Sequence, residues 1–325
     1  MPYESQVLRA ANQRLARRRE KNEQDCAMRR QQVYLRLPRV REIDQQLRQT
    51  VAQAATAAMR TGEDPTKAIA AIRDKNLALQ QERANLLKKN GYSPNYLEEK
   101  PVCPVCKDTG WVGAQMCGCL KTLCTEEQNK LLSSMLDLRG QTFQRFQLDY
   151  YGPSYSQDRV QMEAVYNTCR RYAVSFGSFP IKNLLMTGTP GVGKTYLSAC
   201  IAGTVSGNGF SVVYDTAIHV FSQFEAEHFA REPEAQQSAK RYLNCDLLIL
   251  DDLGSEMTTP FVQSALYNLV NSRLISNRAT VISTNLTLEE ISGRYSMQAA
   301  SRLRGEYQLL QFQGPDIRQM KNRLE

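Results

Sequence analysis

The strongest constraint on what this chain can fold into is one eight-residue stretch, GTPGVGKT, Gly188 to Thr195. It follows an apolar run, Ile181 to Thr187, and leads directly into YLSACIAGTV, so a glycine-rich turn joins a strand to a helix. In that setting G-x-x-x-x-G-K-[ST] reads as a phosphate-binding loop. Its glycines let backbone N–H groups close around phosphate oxygens, and the helix N-terminus adds partial positive charge. The candidate nucleotide-binding residues are Gly188, Thr189, Pro190, Gly191, Val192, Gly193, Lys194, Thr195 and Tyr196. Lys194 is expected at the β- and γ-phosphates, and the Thr195 hydroxyl on Mg2+.

A second apolar run, Leu247 to Leu250, ends in Asp251-Asp252 and has the form of a Walker B strand. Asp251 is expected to hold Mg2+, largely through water, and Asp252 to orient or deprotonate the water that attacks a γ-phosphate. A third run, Thr280 to Thr284, delivers Asn285 at its C-terminal end. Ligands of open α/β sheets bind beyond those ends, so the amide is placed to position the attacking water. Thr287 to Glu290 has the T-x-x-E form of a helix-capping box. Strands alternating with helical stretches over residues 126–325 predict an α/β fold, a parallel sheet flanked by helices.

Five of the nine cysteines fall between Cys103 and Cys124. Cys103 and Cys106 form a C-x-x-C knuckle, and Cys117 and Cys119 a C-x-C pair. Four thiolates from two such pairs satisfy the tetrahedral demand of Zn2+. C-x-C is tight for a second pair, so Cys124 stands as an alternative partner, and Trp111 is expected to cover the site. A redox pair fits less well, because no βαβ context surrounds the C-x-x-C. Cys26, Cys169, Cys200 and Cys245 are scattered and read as small buried hydrophobes. With no signal-like N-terminus and no run of about 18 apolar residues, the expectation is a cytoplasmic protein without membrane contact and without disulfides.

Residues 1–100 carry 20 basic and 12 acidic side chains, whereas the other 225 residues hold 21 of each sign. All the excess positive charge is therefore N-terminal, suited to nucleic acid, to an acidic partner, or only to a solvated helical face. Val40, Ile43, Leu47, Val51 and Ala54 or Ala55 recur at helical spacing, as do Ile69, Ile72, Leu79 and Leu86, with TGEDP, Thr61 to Pro65, between them. The pattern predicts two long helices folded into a hairpin, with a stripe so narrow that the segment should dock on something. His219 and His228 have no acidic or thiol partner at ligand spacing and receive no chemistry.

The order of phosphate loop, paired aspartates and strand-end Asn285 resembles an AAA+ ATPase with its sensor-1 residue. LLILDDLGSE, ASRLRGE and FQGPDIR look specifically like the DnaC/DnaI-type replicative helicase loaders and the related IstB-type transposition helper ATPases. CPVCKDTGW and CGCL behind a basic helical segment are similar to the DnaI-like loaders of Gram-positive bacteria. The resemblance implies ATP, Mg2+ and Zn2+ as cofactors, ATP hydrolysis, and an AAA+ sheet without a C-terminal lid. It assigns Arg302 as the arginine finger reaching a neighbouring subunit, with Arg294 as an alternative, and Arg318 as the sensor-2 arginine. It implies a helical, basic, partner-binding arm over 1–100, a zinc-binding module over 101–125 and an ATPase domain over 126–325. The implied partners are a DnaB-type helicase, single-stranded DNA and further copies of the chain through the ATP interface. Lys240-Arg241-Tyr242 falls where relatives line a DNA path, although an ordinary solvated helix accounts for it equally well. The competing expectation is a transposition helper acting with a transposase on double-stranded DNA, against which the cysteine cluster weighs.

Overall fold

The computed structural model describes residues 3–59, 66–138, 140–154, 156–229 and 239–321. The TGEDP turn and the side chains of Val51, Ala54, Ala55 and Ile69 lie outside what is described. The chain divides into two compact units, residues 13–117 and residues 1–12 together with 118–325. No described helix is long and apolar enough to cross a membrane.

Three helices, not two, fill the N-terminal third: α1 (Ser5–Arg36), α2 (Pro38–Met59) and α3 (Thr66–Lys89). The expected hairpin is α2 with α3. It is tied by Arg39 to Glu82 at 2.8 Å, Arg83 to Asp44 at 3.0 Å, and the Thr50 hydroxyl to Asn76 Oδ1 at 2.5 Å. The helix missing from the expectation is α1. Within its unit it buries only Leu15, Cys26 and Val33, spaced too widely to register as a stripe. Leu37 ends it because the residue before a proline is driven out of helical geometry, and Pro38 then opens α2, where its missing N–H costs nothing. The small core here is Val33, Val40, Leu87 and Leu97. Around it the basic residues have structural work: Arg29 donates to the carbonyls of Tyr96 and Glu98, and Arg30 to that of Leu97.

The cysteine-rich segment follows, with a two-residue antiparallel hairpin, β1 (Trp111–Val112) and β2 (Gln115–Met116). From there the chain continues through α4 (Gly118–Met135), α5 (Gln157–Val174), β3 (Leu184–Thr187), α6 (Lys194–Gly207), β4 (Val212–Thr216), α7 (Ala217–Phe229), α8 (Ala239–Asn244), β5 (Leu247–Leu253), α9 (Pro260–Ile275), β6 (Ala279–Thr284), α10 (Leu288–Arg294), α11 (Met297–Glu306), β7 (Gln308–Gln311) and α12 (Ile317–Lys321).

β3 to β7 form one sheet in the order β4-β5-β6-β3-β7, every neighbouring pair parallel. Their inner residues are buried on both faces, which is why these strands read as unbroken apolar runs. Side chains alternate between two layers. Leu184, Met186, Leu247 and Ile249 pack toward α4, α5 and α6, whereas Leu185, Leu248, Leu250 and Ile282 pack toward α7 to α11. Residues 3–12 belong to this unit: the Tyr3 hydroxyl donates to Gly209 O at 2.7 Å, Glu4 lies 3.7 Å from Arg241, and Val7 and Ala11 are buried. The capping box foreseen at Thr287 and Glu290 is present in both directions.

Candidate nucleotide site and cysteine cluster

A parallel sheet gathers its C-terminal strand ends on one side, and the motif residues meet there. The loop after β3 needs backbone that L side chains rarely adopt, with φ of +149° at Gly188 and +80° at Gly191. Close approach adds a second reason. A Cβ on Gly188 would lie 2.5 Å from Phe312 O, and one on Gly191 would lie 2.0 Å from Asp316 Oδ1. The Ile317 N–H donates to Gly191 O at 3.1 Å, so the segment after β7 is laid directly on the phosphate loop.

Lys194 opens α6 and is buried. Its Nζ donates to Gly188 O at 2.6 Å, Thr189 O at 2.9 Å and Asn285 Oδ1 at 2.7 Å. Burial pulls the ammonium down to about 8, Asp252 and Asp251 oppose that, and Arg318 reinforces it. Asp251 is also buried. One carboxylate oxygen accepts from Thr195 Oγ1 at 3.0 Å and from the Tyr214 hydroxyl at 2.7 Å, and the other accepts from Ser283. Burial, then the neighbouring Asp251, pushes the Tyr214 phenol up, keeping it a donor. Asn285 reaches both ways, since its Nδ2 donates to Asp252 Oδ1 at 3.0 Å.

Lys194, Thr195, Asp251, Asp252, Ser283 and Asn285 line a cleft of about 1160 Å3 with Pro190, Gly191, Gly193, Tyr196 and Arg318. Gly188 and Thr189 stand behind it as carbonyls holding Lys194. Val192 is fully buried, its carbonyl accepting the Tyr151 hydroxyl at 2.9 Å. The remaining wall was not foreseen: Gln141, Gln144, Arg145, Phe146 and Tyr150 from the segment before α5, and Ile317 from α12. Phe146 is stacked against Tyr166 and edge-on to Tyr196, which fixes an apolar face beside the loop. Gln144, Arg145 and Tyr150 sit in short 3-10 turns, and Gln141 and Phe146 flank them, with no periodicity to reveal any of these. The cleft suits a Mg2+-nucleotide: hard oxygen donors from Thr195 and Asp251 converge beside a loop of N–H groups.

The two candidate arginines outside the cleft part company. Arg294 is committed within its own chain, donating to Thr258 Oγ1 at 2.7 Å and Glu256 O at 2.6 Å. Arg302 is exposed on α11. It lines a groove with Lys182, Asn183, Arg278 and Gln308, all at the opposite ends of the strands from the cleft. Two sequence readings need correction. His219 does have an acidic partner, its Nδ1 lying 2.7 Å from Oδ2 of Asp215, four residues earlier on β4. Arg241 and Tyr242 turn to that same carboxylate, at 3.1 and 2.7 Å, and Tyr242 is fully buried, so its ring is not open to stack on a base.

In the cysteine segment the sulfurs of Cys103, Cys106, Cys117 and Cys119 all lie within 4.8 Å of one another. Cys103 and Cys117 are 3.8 Å apart, about the edge of a tetrahedron built on Zn–S bonds of about 2.3 Å. Asp108 shapes the knuckle by accepting the N–H groups of Val102 and Cys103, and the Gly110 N–H points at the Cys106 sulfur at 3.3 Å. Cys124 is excluded from the cluster: it lies buried on α4, where desolvation pushes its thiol up to about 11. Cys26, Cys169, Cys200 and Cys245 are buried as expected.

Residues 175–301 match the family described as IstB-like ATP binding protein. That stretch lies within the sheet-bearing unit. Among curated relatives, the replicative helicase loader DnaC of Escherichia coli (strain K12) is 24% identical over 192 residues, covering 58% of this chain and 76% of that protein. The uncharacterized protein YdaV of the same strain is 32% identical over 148 residues, 42% of this chain and 55% of its own. A crystal structure of the DnaC helicase loader aligns with a TM-score of 0.44 at 24% identity, over 53% of this chain and 98% of that one.

Proposed function

We propose that the chain is an ATP-dependent loader of a DnaB-type replicative helicase, working in the cytoplasm on single-stranded DNA. The observation that carries the reading is the joining of Lys194, Asp251, Asp252 and Asn285 in one cleft, in a domain similar to DnaC over 192 residues. Lys194 and the loop N–H groups would hold the β- and γ-phosphates. Mg2+, when bound through Thr195 and Asp251, would neutralise charge on the phosphate oxygens. Asp252 would orient and deprotonate the attacking water, and Asn285, already bonded to Asp252 and Lys194, would fix its line of approach. Arg318, from the same chain, would offset charge at the γ-phosphate.

Arg302 would act in a neighbouring copy. Its exposure and its distance from its own cleft favour that role, whereas Arg294 is already engaged. Residues 1–100 would grip the helicase, braced by Zn2+ on Cys103, Cys106, Cys117 and Cys119. The test mixes the full chain, ATP, Mg2+ and a closed DnaB-type hexamer with single-stranded DNA blocked at both ends. ATP-dependent transfer of helicase onto that DNA is expected. No transfer, together with ATP-dependent capture of double-stranded DNA, would replace this reading with the transposition helper.

A further inference from the structure

Adjacent residues of a flat strand point to opposite faces of a sheet, so two consecutive aspartates cannot both reach one cleft from regular backbone. Here both line it. The reason lies in the register between β5 and β6: Leu250 pairs with Ile282, but Leu253 pairs with Thr284. Asp251 and Asp252 together oppose a single residue, Ser283, so β5 carries a β-bulge at the paired acids. Bulges re-aim side chains in this way beside functional sites. The distortion is visible in Asp252, whose φ of +56° lies in the left-handed region that side chains other than glycine seldom occupy.

Something must hold that geometry, and Ser283 touches both halves of it. Its side chain is buried. Its hydroxyl donates to Asp251 Oδ1 and accepts the Asp252 N–H at 2.9 Å, the ladder donor that the bulge would leave unpaired. Beyond it, Thr284 Oγ1 donates to Leu253 O at 2.6 Å, and Ser255 closes on Asp252 O through its hydroxyl at 2.7 Å. Asn285, two residues on, donates to the Asp252 carboxylate. One strand therefore supplies the pin for the backbone of the second acid, an orienting bond to the first, and the amide that meets the second.

We infer that Ser283 is a positioning residue for ATP hydrolysis, holding the bulge that turns Asp251 and Asp252 into the same cleft. The inference rests on the ATPase reading of the site and adds to it how the two acids come to share one face. Without the hydroxyl, the Asp252 N–H is orphaned, the bulge loses the pin that holds its register, and Asp251 loses the bond to its second carboxylate oxygen, keeping only those from Thr195 and Tyr214 to the first. The loss falls on Mg2+ use and turnover. Nucleotide held by the phosphate loop alone, from β3 and α6, is spared.

The test compares Ser283→Ala with the wild-type full chain in three measurements: ADP affinity without Mg2+, the Mg2+ concentration that half-saturates binding of a non-hydrolysable ATP analogue, and steady-state hydrolysis. ADP affinity should stay within about threefold. Half-saturating Mg2+ should rise and kcat fall by about 10–100-fold, the range for losing a group that orients a ligand, with KM for ATP little changed. Half-saturation and kcat both within about twofold of wild type would overturn the inference. If Ser283→Ala does not bind ADP, Ser283→Cys, of similar size and with a weaker donor, takes its place with the same two outcomes. If the wild-type chain itself hydrolyses no ATP, the enzymatic reading fails, and the Mg2+ dependence of analogue binding still decides the role of Ser283.

Discussion

Arg273 is fully buried, yet it has no acidic partner among the described residues; its guanidinium is held by oxygens. It donates to the carbonyls of Tyr242, Cys245 and Ala279 and to the Thr280 hydroxyl, tying the ends of α8 and α9 to the start of β6. Nothing in the sequence distinguishes it from the 40 other basic residues, because its partners are mostly backbone carbonyls, which any residue type carries. Lys194 and Asp251 are the opposite case, legible from motif spacing alone. Replacing Arg273 by Met keeps the bulk and removes every donor. Orphaned buried acceptors cost about 1–3 kcal/mol each, so Arg273→Met should lose more than about 3 kcal/mol of stability in urea unfolding. A loss under about 1 kcal/mol would mean that water takes over the bonds.

Among the elements, the cysteine knuckle is the one whose four sulfurs are grouped as a metal site would need them. Four sulfurs held this close, with two N–H groups on Asp108 and one on a sulfur, are arranged for a cation and repel one another as thiolates. One Zn2+ per chain is therefore expected by elemental analysis. Cys106→Ser should remove it and open the 101–119 segment to proteolysis. Retention of a full equivalent of zinc by that variant would exclude Cys106 as a ligand. The ligand spacing was readable here, including the ambiguity at Cys124, which only the position of α4 resolves. Two other elements escaped notice for physical reasons. α1 buries Val7, Ala11, Leu15, Cys26 and Val33, but a mostly charged and polar stretch between Leu15 and Cys26 interrupts the stripe, and the 3-10 turns over Phe143–Arg145 and Leu148–Tyr151 are too short to have a period. The Walker B bulge is silent as well, since Leu247 to Leu253 reads as a regular strand.

For the whole molecule, the position of Arg302 bears on the proposal that the reaction needs more than one copy. An arginine on the far side of its own sheet can serve a cleft only in another subunit, so two defective chains should repair each other. Asp252→Asn lacks a competent site but carries Arg302, and Arg302→Ala is the reverse. Each alone should hydrolyse ATP at least about tenfold more slowly than wild type, as expected for lost transition-state charge stabilisation. A mixture should regain a sizeable part of the rate, with a dependence on protein concentration. Failure of the mixture to recover would return Arg302 to an ordinary surface charge.

The laying of residues 312–317 onto the phosphate loop has a consequence for how the protein is made. Synthesis delivers the loop about 120 residues before the segment that covers it, and β3 waits about as long for β7, its neighbour on one side. Until then the loop that holds the nucleotide lacks its Gly191–Ile317 bond, and one side of β3 is open. A chain cut short by a stalled ribosome or a nonsense codon before residue 312 would carry every motif residue of the cleft except Arg318 without the packing that shapes it. A completed cleft wall thus marks a chain whose translation has run past the sheet.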